Sequence, residues 1–211
     1  MSMFHFDHQK LSESYCNFFP ATQSPAQAAG LGKLVSFIAA DTSISDLRWV
    51  SYMLATVKHE CEDTWTPATE RGPRSYFDKY NPGTLLGTRL GNTQPDDGFQ
   101  FRGRGYVQIT GRANYERLGR ALQLGNQLID NPDLALDPEV AYNIMSYGMR
   151  AGAFTEKKLS DYINGYTCDY YNARRIINAL DRAETIRDYA QKLEQVFKDV
   201  VVVANAPATA A

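Results

Sequence analysis

The chain predicts a mainly α single domain carrying one long, ordered, polar loop region. Apolar residues recur at steps of three and four over most of the 211 residues, the period of a helix with one face in a core. Ser, Asp and Pro stand where those patterns begin, as helix starts require. Between Thr66 and Arg104 the period gives way to Gly, Pro, Asn, Asp and aromatic residues, with Tyr76, Phe77, Tyr80, Phe99 and Phe101 arguing for order.

Asp7 to Phe19 reads as a short helix with Leu11, Tyr15 and Phe18 inward. Ser24 caps the next helix, Pro25 takes its first turn and Gln27 completes a capping box; Leu31, Leu34, Val35 and Ile38 form its stripe. Gly30 and Gly32 allow close packing. After a turn at Asp41–Ser45, Ser43 and Asp46 make a capping-box-like start for an amphipathic helix striped by Leu47, Val50, Leu54, Val57 and Cys61. A small hairpin is expected within Gln100–Thr110. Helices follow over Ala113–Leu122, from a cap at Asp137, from a cap at Thr155 through Ile163, over Cys168–Leu180, and from Ala183 to about Val201. Residues 1–203 read as one domain and 204–211 as a flexible tail.

Composition narrows the function. Hydrophobic content of 44% and charged content of 22% are those of a globular chain, and a net charge of −2 argues against binding nucleic acid or an anionic surface. Cys16, Cys61 and Cys168, odd in number and without a CxxC, read as free thiols. The opening MSMFHFDHQKLSES is too polar for a signal peptide, and no apolar run approaches a membrane span. No cofactor is expected.

Glu60 ends the 47–61 helix beside its apolar stripe, so partial desolvation and the negative helix end disfavour its ionised form, as a general acid needs. Glu70 follows in a turn-like segment, where water and Arg71 would keep it ionised as a base. Two carboxyls with environments pushed apart point to glycoside hydrolysis. Against this, most pairs drawn from 24 acidic residues are solvated surface, and Glu62 and Asp63 are rivals. His59-Glu60 opens like a zinc-protease helix, but position 63 is Asp and the only histidines are His5, His8 and His59, so no metal is expected. A Cys61–His59 dyad is disfavoured because residues two apart on a helix do not face each other.

The second informative stretch is Phe101–Tyr115, FRGRGYVQITGRANY. Read as extended, it presents Gln108 and Thr110 on one face, with Asn114 a helical turn further on. Amide and hydroxyl groups beside aromatic rings suit a saccharide; a plain turn and strand is the alternative. The segment lacks the Gly-Lys-Ser/Thr ending of a phosphate loop.

Together with MLATVKHE (53–60), PATERG (67–72), RLGNTQPDDG (89–98), NPDLALDP (131–138) and RRIINALDRAE (174–184), this stretch resembles glycoside hydrolase family 19, in particular its compact phage-type endolysins. The resemblance implies a lysozyme-like helical fold with a small hairpin and long loop beside the cleft. It also implies inverting hydrolysis of β-1,4 bonds, with Glu60 as acid, Glu70 as base and Thr110 positioning the water. Tyr106, Gln108, Asn114 and Asn178 fall on its substrate-binding positions, although Ala179-Leu180 departs from the family's Gly-Gly after that Asn. An arginine of the last helix is implied near the cleft, Arg182 or Arg187, with Arg187 placed among the substrate-binding residues.

The expected partner is peptidoglycan glycan strands, cut as a muramidase would cut them. Chitin, or saccharide binding without catalysis, is the alternative. The expected setting is a monomer held in a bacterial cytoplasm until a separate protein permeabilises the membrane, then acting at the cell wall.

Overall fold

A computed structural model describes residues 4–20 and 23–202. The short strand β1 (His5–Phe6) leads into α1 (His8–Phe18), whose N-cap Asp7 accepts from the amides of Gln9 and Lys10. Leu11 and Tyr15 are buried as expected; Phe19 is more deeply buried than Phe18. Then α2 (Pro25–Ala40) begins with the predicted capping box, Gln27 N–H donating to Ser24 Oγ at 3.2 Å and Ser24 N–H to Gln27 Oε1 at 2.8 Å. Its predicted stripe is buried. A Cβ on Gly30 would lie 2.9 Å from Trp65, so here glycine is needed for close packing; Gly32 meets nothing.

The central helix α3 (Leu47–Glu60) is capped by Asp46 itself, whose carboxylate accepts from Arg48 N–H, and not by a box from Ser43. It is also not amphipathic in place. Every residue from Val50 to Lys58 is buried, because the later helices at Pro138–Ala151 and Ala183–Val200 pack against it and Tyr15 of α1 meets Lys58. Such enclosure contributes about 1.5–3 kcal/mol for each large apolar side chain.

The aperiodic region is built of short pieces: β2 (Ala68–Thr69), a 3-10 helix at Arg74–Tyr80, α4 (Leu85–Arg89), α5 (Asp97–Gln100) and β3 (Arg104–Gly105). β2 pairs antiparallel with β3, Ala68 opposite Gly105 and Thr69 opposite Arg104. A small aromatic core orders this lobe, with the Phe77 and Phe99 rings 5.6 Å apart and the guanidinium groups of Arg74 and Arg102 at 4.5 and 4.1 Å from the Phe99 ring. Asp97, fully buried, ties the lobe to the next helix through Arg112.

The rest is helical: α6 (Arg112–Ala121), α7 (Gln127–Asp130), α8 (Pro138–Ala151), α9 (Leu159–Tyr162), α10 (Tyr170–Ala173) and α11 (Ala183–Val200). Asp137 caps α8 as predicted. Two expectations fail. Thr155 is no cap, since its hydroxyl is turned onto the carbonyls of Arg175 and Ile176 at 2.6 and 3.0 Å, and α9 starts only at Leu159. The helix expected over Cys168–Leu180 is one turn of α10 followed by a 3-10 turn at Arg174–Ile176. Beyond α11, β4 (Val201–Val202) pairs with β1. The tail expected at 204–211 lies outside the described residues.

Candidate active site

Glu60 is the last residue of α3, with its side chain 18% exposed. Its Oε1 accepts from Arg174 Nη1 at 2.7 Å. Arg174 is itself 2% exposed, and its Nε–H donates to the Asp181 carbonyl at 2.9 Å, so the guanidinium is fixed from both sides. The edge-of-core placement of Glu60 is as expected. The arginine against it is not.

Glu70 stands one residue past β2. Its N–H donates to the Gly103 carbonyl at 2.8 Å, and the Gly103 N–H returns to Glu70 Oε2 at 3.1 Å. Tyr80 donates its hydroxyl to Glu70 Oε1 at 3.2 Å. Burial, then the charge of Glu70, raises the Tyr80 phenol above its ordinary pKa, so it remains a donor at neutral pH. These two groups, not Arg71, hold Glu70. Gly103 has no room for a side chain, since a Cβ would sit 2.8 Å from Gln108 Oε1 and 3.2 Å from Glu70 Oε2.

Glu60 and Glu70 line one cleft of about 890 Å³, with Arg71, Phe99, Arg102 and Gln108 also in its walls. Gln108 arrives differently from the extended reading. Residues 104–109 close a tight turn, Arg104 and Ile109 exchanging backbone hydrogen bonds at 3.2 and 3.0 Å, and Gln108 is left-handed at φ 53°. Its amide donates to the Ala68 carbonyl at 2.8 Å and the Gly105 carbonyl at 3.1 Å, which pins the turn to β2 and β3. The Thr110 hydroxyl donates to the Gln108 carbonyl at 3.0 Å, leaving its lone pairs to accept from a water. Asn114 donates to the Thr110 carbonyl at 2.6 Å.

Of Gln108, Thr110 and Asn114, the first lines the cleft and the other two follow it in the chain, outside the cleft's walls; the other expected positions lie elsewhere. Tyr106 is 1% exposed in the hydrophobic core and offers no cleft surface. Asn178 is exposed, its side-chain oxygen accepting from the next amide, Ala179 N–H, at 2.8 Å. Arg187 is turned onto Asp188 at 2.8 Å, and Arg182 is an exposed left-handed residue before α11. The arginine at Glu60 is instead Arg174. It was hidden because the pattern around Ile176 and Ile177 reads as a continuous helix. Tyr80 and Gly103 were legible only as loop aromatic and loop glycine. Cys61 is buried with its thiol pushed up to about 12, by desolvation first and the Glu60 charge second, which leaves it protonated. Among the described residues no cluster of His, Cys, Asp or Glu is placed to hold a metal ion.

Comparison with known proteins gives a consistent family signal. The family model described as Chitinase class I, glycoside hydrolase family 19, matches residues 14–165. The acidic endochitinase pcht28 of Solanum chilense is 39% identical over 61 residues, 28% of this chain and 24% of that relative's length. Two solved structures share the fold. A bacterial family 19 chitinase superposes at TM-score 0.53 with 17% identity over 88% of this chain and 93% of that one. A mutant chitinase C superposes at 0.50 with 19% identity over 89% and 90%.

Proposed function

Because the chain belongs to the Chitinase class I family, glycoside hydrolase family 19, we propose that it is an endolysin cleaving β-1,4 bonds of peptidoglycan by inversion, with Glu60 as acid and Glu70 as base. One observation carries the chemistry. Two glutamates from different elements line a single cleft, each fixed by its own partner, Arg174 for one and Gly103 with Tyr80 for the other.

Arg174 occupies Oε1 of Glu60, so Oε2 carries the proton to the glycosidic oxygen as the bond from that oxygen to the anomeric carbon breaks. The carboxylate left behind stays paired with the guanidinium. Glu70 takes a proton from a water on the opposite face of the sugar, and that water's oxygen bonds the anomeric carbon. Thr110 accepts from the same water and orients it. Carboxyls in inverting enzymes stand roughly 6.5–9.5 Å apart to leave room for the water.

Peptidoglycan is favoured over chitin by the resemblance to compact phage-type endolysins that the motifs at 53–60, 67–72, 89–98, 101–115, 131–138 and 174–184 carry together. In this reading the lysin reaches the wall once another protein opens the membrane. No helix among the described residues is long and apolar enough to cross a membrane. A chitinase is the second reading, favoured by the matched relative's name. The test is mass spectrometry of borohydride-reduced fragments released from purified peptidoglycan. N-acetylmuramitol ends support the muramidase reading, and N-acetylglucosaminitol ends move the bond. Chitin oligomers cut while peptidoglycan stays intact would establish the second reading.

A further inference from the structure

Two cations of the cleft stand without a counter-charge. The antiparallel pairing of β2 with β3 sets Ala68 opposite Gly105 and Thr69 opposite Arg104, and it runs on to Glu70, whose N–H donates to the Gly103 carbonyl at 2.8 Å. One residue further, the same register sets Arg71 opposite Arg102, and both line the cleft beside the base. Like charges directly opposite each other on paired strands repel. Neighbouring arginines are neutralised: Arg74 is paired with Asp96, Arg104 with Asp133 at 2.7 Å and Arg112 with Asp97 at 2.6 Å. Among the described residues, Arg71 and Arg102 have no carboxylate at ion-pair distance.

One of the two is fixed and the other is open. Arg102 is partly buried; its guanidinium lies 4.1 Å from the centre of the Phe99 ring, and Nη1 donates to the Phe99 carbonyl at 2.7 Å. Because the group is planar, this also fixes Nε and Nη2, which have no partner among the described residues. Burial first, and the charge of Arg104 second, lower its pKa from the ordinary arginine value, and Asp133, Tyr115 and Glu70 offset them only in part. Arg71 is exposed and makes no side-chain hydrogen bond among the described residues, so its guanidinium can approach the same ligand. The nearby Glu70 does not serve as counter-charge, since its oxygens accept from Tyr80 and from the Gly103 N–H. Glu62, also in the cleft wall, is exposed in the turn after Glu60. Two guanidinium forks on one wall with no acid between them suit a carboxylate.

We infer that Arg71 and Arg102 receive a carboxylate carried by the glycan beside the base, and so make the cleft prefer an anionic strand to a neutral aminosugar polymer. This rests on the peptidoglycan reading above. Peptidoglycan offers such a group from two sources. One is the stem peptide, through its acidic residues and C-terminus. The other is the lactyl carboxyl of a muramyl residue from which the peptide has been removed. Chitin, whose sugars carry hydroxyl and acetamide groups, offers none.

The test measures kcat/KM on soluble peptidoglycan strands with their stem peptides and on strands stripped of peptide by an amidase. Each is assayed before and after its carboxylates are converted to methylamides with a carbodiimide and methylamine. The parent should prefer the charged form. The ratio of charged to amidated should fall about tenfold in Arg102→Gln, the scale of one lost hydrogen bond to a charged group. In Arg71→Gln, where the lost charge is exposed, it should fall about threefold. Arg71→Lys keeps the charge and should lose less of the ratio than Arg71→Gln. A preference confined to peptide-bearing strands assigns the site to a stem-peptide carboxylate, and one retained on stripped strands assigns it to the lactyl carboxylate. A parent ratio near one, or a ratio that the folded glutamine variants leave unchanged, would overturn the inference while leaving the substrate reading standing. Parent enzyme that cuts chitin oligomers and none of the strands would overturn both.

Discussion

Arg174 and Glu60, 114 residues apart in the chain, meet at 2.7 Å in a place where the arginine is almost wholly enclosed. A buried charge pair is costly to break from one side, because the survivor is left without its counter-charge. Arg174→Lys should therefore keep the fold but lose the fork that reaches Glu60 and the Asp181 carbonyl together. The expected outcome is a fall in kcat of roughly 100-fold with KM changed far less, the pattern of a group that matters in the transition state. Steady-state kinetics beside a circular dichroism melt would check it.

Glu60→Gln and Glu70→Gln should each remove about 10²–10⁴-fold of turnover, the usual contribution of positioned proton transfer. Glutamine retains an oxygen for the Gly103 amide, so Glu70→Gln should melt within a few degrees of the parent, whereas Glu60→Gln keeps an oxygen for Arg174 but removes its counter-charge and should fold with a lower melting point. A well-folded Glu60→Gln variant with unaltered turnover would remove Glu60 from the acid role.

At Gly103 the prediction concerns space. An added methyl would meet Gln108 Oε1 at 2.8 Å and Glu70 Oε2 at 3.2 Å, so Gly103→Ala should displace the base without touching the main core. Misplacement of this order costs about 100-fold in rate. Activity assays with a thermal melt would separate that from a general loss of fold, which would instead lower both together.

Cys61→Ser should leave turnover within about twofold of the parent, since a buried, protonated thiol supplies no nucleophile. Assay of the folded variant is sufficient. Loss of activity at full occupancy of the fold would reopen a cysteine mechanism.

Stability should fall in acid partly through Asp97. Its carboxylate is desolvated, yet Arg112 and the amides of Gln94 and Thr93 more than offset this and hold its pKa below the ordinary carboxylate range. The unfolded chain therefore binds this proton first as pH falls. The stabilisation is complete above roughly pH 4, the unfolded value, and is lost as pH drops through the lower folded value. Asp97→Asn should be less stable at pH 7 and show a shallower decline below pH 4. Urea denaturation at both pH values would measure it.

The sequence carried most of the scaffold because helix starts are local. Ser24 with Gln27, and Asp137 with Pro138, declare their caps within four residues, and the stripes they open face the core. It misread what depends on distant partners. Thr155 resembles a cap until the carbonyls of Arg175 and Ile176 claim its hydroxyl. Gln108 seems to alternate with its neighbours until the bridge between Arg104 and Ile109 folds the segment into a turn. Glu60 and Glu70 stood out by residue type and position. Their partners Arg174, Tyr80 and Gly103 are fixed by tertiary packing, which no local period records.

The most direct test of Glu60 and Glu70 as acid and base is the anomeric form of the first product, read by proton NMR within minutes of adding enzyme to a soluble β-1,4 glycan that it cleaves. Attack by a water held at Glu70 on the face opposite Glu60 predicts the α anomer appearing first and then mutarotating. The β anomer appearing first would mean double displacement, and would contradict the assignment of Glu70 as the base.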